Sequence, residues 1–342
     1  MLSALLKERN LPPLRPRAET LELLQTEIYG RLPAAPEAEE FTVEPAVIWR
    51  FCAGKAVCDR VTARTVVNGK PFAFPFLATI PTAPGPHPFF IHINFRPDNP
   101  DRYMPTEELI DAGFAVLSFC YNDVTADNGD FTDRLAGVLF ENGARGPEDP
   151  GKIALWAWGA QRVMDYAETL ADRLDCTRAA VCGHSRLAKT ALFAGAMDER
   201  FAFAYSNDSG CSGAALARGK TGESIRDICE RFPFWFCENY KQYVDNEAAM
   251  PFDQHFLLAA IAPRCALVGS AAADDWADPV SEFLCCCAAA PAFPGGFPCP
   301  DRLPGDDDAF LEGRIGYHRR PGLHYFSRRD WQRLIEFIRR HG

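Results

Sequence analysis

The sequence predicts an α/β fold, a three-layer sandwich around a mostly parallel sheet that begins with antiparallel strands. Three observations carry this. Short apolar segments such as Phe89–Ile93, Phe114–Phe119 and Ala179–Cys182 have the unbroken hydrophobicity of strands buried on both faces. From Pro88 onward such segments alternate with stretches of helical periodicity. Before Pro88, three longer strand-like stretches follow one another, separated by turn residues that include Asn68-Gly69, a strong hairpin signal.

In chain order, residues 1–40 are polar and proline-rich and read as an extension packed on the main body, with a helix around Glu19–Gly30. Strands are expected over Thr42–Phe51, Val57–Val67, Phe72–Ile80 and Phe89–Ile93. A helix over Thr106–Ala112 opens on a Thr106 cap and turns Leu109 and Ile110 to one face. Phe114–Phe119 is a strand, and Asn122–Gly151, rich in Asn, Asp and Gly, reads as a loop. A long helix over Ile153–Leu174, a strand at Ala179–Cys182 and a helix over Arg186–Met197 follow. Strands at Phe201–Tyr205 and Cys265–Gly269 and helices over Asp278–Ala289 and Arg329–Arg340 complete the set. Ala292–Asp308, full of Pro, Gly and Asp, is expected to be a surface loop. With no internal repeat and no second domain visible, residues 1–342 read as one domain.

Composition narrows the function. The 342 residues carry 46 acids against 36 bases, a net charge of −10, and no basic stripe, which argues against nucleic acid as a partner. No run reaches the roughly 18 apolar residues of a membrane span. The 13 cysteines lack paired spacing, and Cys285, Cys286 and Cys287 are consecutive, so they read as reduced buried thiols. Leu2–Leu6 is too short an apolar patch for a secretory leader. Together these give the expectation of a cytoplasmic protein acting on a small imported substrate. Neither H-x-H nor H-E-x-x-H occurs, so no metal or other cofactor is expected.

The most informative segment is Val181-Cys182-Gly183-His184-Ser185-Arg186-Leu187-Ala188-Lys189. A strand ends, Gly183 turns the chain, Ser185 follows, and a helix begins, which is the context of a nucleophile elbow. The sharp turn lifts the hydroxyl clear of the sheet, and the helix start offers free N–H groups to a developing oxyanion. G-x-S-x-G is half kept, since Leu187 replaces the second Gly. A serine nucleophile needs a base, and the base a carboxylate, in the chain order Ser, acid, His. His324, in a loop before the last helix, is the leading base over His318 at a strand end, His255 at a helix start and His341 near a frayed terminus. The acid is Asp274 or Asp275 after the late strand, or Asp208 one strand earlier.

These residues carry a resemblance. Ser185-Arg186-x-x-Lys189, then Ser206-Asn207-Asp208-Ser209-Gly210-Cys211-Ser212-Gly213, Pro263-Arg264, Trp276 and the late Gly322-x-His324 resemble carbohydrate esterase family 15, the glucuronoyl esterases. Over residues 85–342 the chain is similar to bacterial members described as acetylxylan esterase-like. The signature Gly-x-Ser-Arg-x-Gly-Lys is kept, except that Ala188 stands for Gly, and His184 stands where the family has Cys. The resemblance implies an α/β-hydrolase fold and a serine esterase acting on an oligosaccharide or small carbohydrate ester. It implies Arg186 as an oxyanion donor, and Lys189, Glu223 and Trp276 as sugar contacts. Trp235 is a further aromatic candidate, and the bland alternatives are a solvated Lys189 and tryptophans that merely pack. The family places a Glu at the position of Asp208, while some members use an acid matching Asp274. An Asp at a position suited to Glu falls about 1.5 Å short, one C–C bond, so Asp274 is favoured. A glucuronoyl ester of the 4-O-methyl-glucuronoyl methylesterase type is the expected substrate, an acetylated oligosaccharide is the alternative, and a carbohydrate-binding member without activity is the rival reading.

Overall fold

The computed structural model describes all 342 residues, and its ten strands form one sheet in the order β1-β2-β3-β5-β4-β6-β7-β8-β10-β9. The first three strands, β1 (Ala38–Glu44), β2 (Ala56–Val67) and β3 (Lys70–Pro81), pair antiparallel. The β2–β3 turn is Asn68-Gly69, both at positive φ, which matches the right-handed twist of the flanking strands. β4 (His87–Asn94), β5 (Ala115–Cys120), β6 (Leu174–His184), β7 (Phe203–Asn207), β8 (Cys265–Ala271) and β10 (Ile315–Arg320) form the parallel part. A two-residue strand, β9 (Ala309–Phe310), pairs antiparallel to β10 at the far edge and lies outside the expected set.

Helices cover both faces. α6 (Lys152–Glu168), α7 (Arg186–Met197) and α10 (Pro279–Ala289) pack on one side, within a core of 76 buried residues. α3 (Thr106–Asp111) and α11 (Arg328–His341) pack on the other, over a second cluster of 18 around Phe90, Phe114 and Trp331. No helix is long and apolar enough to cross a membrane. In the N-terminal 40 residues, α1 (Leu2–Glu8) and α2 (Arg17–Leu24) lie on this body, and Ile28 and Tyr29 are buried in the larger core. All 13 cysteines are unpaired thiols.

Several expected boundaries move, each because a particular contact prevails over residue preference. The first strand ends at Glu44 rather than Phe51, because its pairing with β2 stops there and the chain turns through positive φ at Ala46 and Arg50. Thr106 does not cap α3; its hydroxyl donates to Asn99 Oδ1 at 2.8 Å instead. The long helix stops at Glu168, since Arg173 and Leu174 bond back to Leu170 O and Leu174 already begins β6. The Asn122–Gly151 segment, expected to be loop, carries α5 (Arg134–Leu139), and its first three residues belong to the short α4 (Tyr121–Val124). His341 is anchored rather than frayed, its Nε2 hydrogen-bonded to Leu311 O at 2.8 Å.

Candidate active site

Four neighbouring strands, β6, β7, β8 and β10, deliver the candidate residues from their carboxyl ends. Ser185 follows β6 directly, Asp208 follows β7 directly, Asp274 lies three residues past β8, and His324 four past β10. Ser185 sits at φ 59°, ψ −126°, a strained conformation for a residue with a side chain, and α7 starts at the next residue. Gly183 makes the turn possible: a Cβ there would lie 2.3 Å from Leu187 O. As the first residue of α7, Arg186 has a backbone N–H with no intrahelical acceptor.

Ser185, Arg186, Lys189, Asp208, Glu223, Trp235, Asp274, Trp276 and His324 all line one cleft of about 350 Å³. His324 Nδ1 is hydrogen-bonded to Asp274 Oδ2 at 2.6 Å, which leaves Nε2 for a second partner. Asp274 is buried, while the His324 side chain is 43% exposed. No hydrogen bond joins Ser185 to His324. Asp275, the third acid considered, is exposed.

Asp208 has different work. Its Oδ1 accepts from Ala271 N at 2.6 Å, and its Oδ2 from the Arg320 guanidinium at 3.1 Å and Tyr325 N at 3.3 Å. Arg320 also donates to Leu323 O and Tyr325 O, and pairs with Asp330, which completes the capping box that Ser327 opens at the start of α11. Asp208 and Arg320 therefore hold the loop that carries His324 from both sides. Burial pushes the Asp208 carboxyl up, and Arg320 opposes that shift. One oxygen of Asp208, one of Asp274 and one His324 nitrogen lie within 4.8 Å of one another, a spacing that would suit a cation. Each of these carboxylates accepts a hydrogen bond from the protein, Asp208 from Arg320 and Asp274 from His324.

Arg186 pairs with Asp127, and its guanidinium lies over Trp235 at 4.6 Å and Phe232 at 5.2 Å from the ring centroids. Its Nε is buried with no partner. Lys189 is not solvated: it is 3% exposed, donates to Ser209 O, and lies 3.9 Å from the Glu223 carboxylate. Burial pulls the pKa of its ammonium down, and Glu223 opposes that. Trp235 is buried, stacked on Phe232 and bonded through Nε1 to Asp127, whereas Trp276 is 44% exposed under Arg231. His318 and His255 serve the core, bonded to Tyr205 and to Pro12 O.

Sequence reasoning missed three residues here. Asp127 was one acid among many in a polar loop and left no signal. His184, bonded to Asn207 Oδ1 at 2.7 Å, packs its ring 4.4 Å from that of His324. Glu282, buried in α10, accepts hydrogen bonds from Gly210 N and from the Ser209 and Ser270 hydroxyls, and so fixes the backbone just after Asp208. A lone acid within an apolar, cysteine-rich helix was the available clue.

The family model for glucuronyl esterases of fungi matches residues 64–294. A carbohydrate esterase from an unknown prokaryotic organism is 42% identical over 246 residues, 69% of this chain and 55% of that protein. The 4-O-methyl-glucuronoyl methylesterase of Podospora anserina is 29% identical over 78% of this chain and 53% of that protein. The chain thus spans about half the length of these curated relatives. Among solved structures, a glucuronoyl esterase from Solibacter usitatus superposes with a TM-score of 0.86 at 32% identity, over 96% of this chain and 92% of that one. A promiscuous family 15 esterase from a marine bacterial metagenome gives 0.84 at 32% identity, over 95% and 91%.

Proposed function

The chain belongs to the glucuronoyl esterases, carbohydrate esterase family 15, and from that premise we propose that it hydrolyses a carboxylic ester of a glucuronate through Ser185. The observation that carries this is the convergence of a strained Ser185, Arg186 and a His324–Asp274 pair on one cleft. His324 Nε2 takes the Ser185 proton as Oγ attacks the ester carbonyl. The oxyanion that forms meets the Arg186 backbone N–H and guanidinium. The C–O bond to the alcohol breaks, and the leaving oxygen takes the proton from His324. Water then gives a proton to His324 as its oxygen attacks the acyl-enzyme, the bond to Ser185 Oγ breaks as Oγ takes that proton back from His324, and the free uronate is released.

In a glucuronate ester the sugar is the acyl part and must sit beside the nucleophile. Lys189, four residues past Ser185 on α7, and Glu223 next to it supply a polar wall there for sugar hydroxyls, with Trp276 as an apolar face. In an acetyl ester the acyl part beyond the carbonyl is only a methyl group, and this wall could meet only the sugar of the leaving alcohol.

The test is a paired assay on methyl 4-O-methyl-glucuronate and on an acetylated xylo-oligosaccharide, with wild type and Ser185→Ala. The uronate ester should be hydrolysed by wild type alone. Turnover of only the acetylated substrate, or full uronate activity in Ser185→Ala, would overturn the proposal.

A further inference from the structure

Asp127 belongs to none of the four strand ends, yet one neighbouring and two distant residues meet on its carboxylate. Tyr121 donates its hydroxyl to Oδ2 at 3.0 Å, Trp235 its Nε1–H to Oδ1 at 2.7 Å, and the Arg186 guanidinium pairs with Oδ2 directly. Arg186 lies 59 residues further along the chain and Trp235 108 residues. The Asp127 side chain is 10% exposed, and its backbone N–H is tied to Asn122 Oδ1 at 2.9 Å, so the carboxylate is itself fixed.

The consequence falls on Arg186. Its guanidinium is pinned along one edge by Asp127, and Trp235 and Phe232 bound its face. A buried Nε–H remains with no acceptor. Nη2 is bonded to no protein acceptor either, and since the side chain is 26% exposed and lines the cleft, that end of the guanidinium can meet charge that appears only during reaction. We propose that Asp127 is a positioning residue: it holds Arg186 in the pose that meets the oxyanion, and with the same carboxylate it fixes Trp235 as the adjoining wall. This rests on the reading of Ser185 as the nucleophile.

Two effects of Asp127 oppose each other. A neighbouring anion weakens the pull of Arg186 on an oxyanion, whereas fixing the guanidinium avoids reorganisation during reaction. The first effect is moderated by solvent, because Arg186 is 26% exposed. The second is steep, since a displacement of about 1 Å can cost on the order of 100-fold in rate. Positioning therefore dominates.

Asp127→Asn keeps the volume and one acceptor oxygen but loses the charge that holds the guanidinium. On methyl 4-O-methyl-glucuronate, kcat should fall roughly 10- to 100-fold with KM within about 3-fold. Affinity for an alkylboronate, which forms a tetrahedral anion on a nucleophilic serine, should fall in parallel with kcat, a change that loosened packing alone would not produce. Asp127→Asn should add little in an Arg186→Ala background. An unchanged kcat, a loss confined to KM, or additive effects in the double variant would each overturn the proposal. Should the variant fail to fold, a crystal structure of wild type with the boronate decides: Arg186 should stay on Asp127 while presenting another N–H to the adduct, and an Arg186 that leaves Asp127 would refute the idea. Failure of the parent reading is distinguishable, because Ser185→Ala would then retain activity.

Discussion

Replacing Asp274 by Asn leaves a side chain of the same shape but removes the charge facing His324. The 2.6 Å contact from Asp274 Oδ2 to His324 Nδ1 is charge-assisted whenever the ring takes up the serine proton. Asn can keep the weak bond that Oδ1 accepts from Ala277 N at 3.3 Å, so the loop should hold its shape. What is lost is stabilisation of the imidazolium and of its tautomer. A triad carboxylate changed in this way costs on the order of 10⁴ in kcat, about 5.4 kcal/mol of barrier. Asp208→Asn is the control. It weakens one of two carboxylate contacts to Arg320, which retains Asp330 and three backbone carbonyls. That should lower stability by about 1–3 kcal/mol, less than the roughly 3–5 of a buried pair broken outright. At about 2.1 cal/mol/K per residue, the Tm falls by about 1–4 °C. Its kcat should stay within about 10-fold of wild type, since it acts through the His324 loop. The assay is steady-state hydrolysis of a glucuronate methyl ester, with Tm measured on the same samples. A crippled Asp208→Asn beside an active Asp274→Asn would refute the reasoning.

Arg186→Ala should lower kcat by roughly 100-fold or more, the scale of one oxyanion donor, and kinetics near those of wild type would remove it from the mechanism. Glu282 gives a prediction about stability. Burial pushes its carboxyl from 4.5 up to about 7, so between those values the folded state holds a proton that the unfolded state has lost. The stabilisation is complete below pH 4.5 and is lost as pH rises through 7, by up to about 3 kcal/mol. Relative to Glu282→Gln, wild type should therefore lose about 4 °C in Tm between pH 4.5 and 8; parallel curves for the two proteins would contradict this.

The parallel half of the sheet was legible because its strands are short, apolar and separated by helices of clear period. The bounds of α7 were read correctly from sequence, because Gly183 and the small, apolar residues after Ser185 constrain the elbow locally. Ser185 and His324 could be placed by chain order, since each follows a strand end; chain order left Asp274, Asp275 and Asp208 open, and the reach of an Asp side chain favoured Asp274. Features decided by particular partners were not legible. The end of β1 depends on where β2 stops pairing with it, and Thr106 gives up its cap for Asn99, seven residues earlier. Asp127 draws its importance from Arg186 and Trp235, far along the chain, and an isolated Asp in a polar loop carries no trace of that. Asp208 looked like a rival acid because its register matches the family's glutamate, and its pairing with Arg320 required coordinates to see.

The central claim is that Ser185 is the nucleophile and His324 its base. A fluorophosphonate that mimics the tetrahedral intermediate tests it most directly, read by intact mass and peptide mapping. One adduct per chain should form, on the peptide containing Ser185. Its rate should drop sharply in His324→Ala, and labelling should vanish in Ser185→Ala. An adduct on another residue, or equal labelling in Ser185→Ala, would contradict the account.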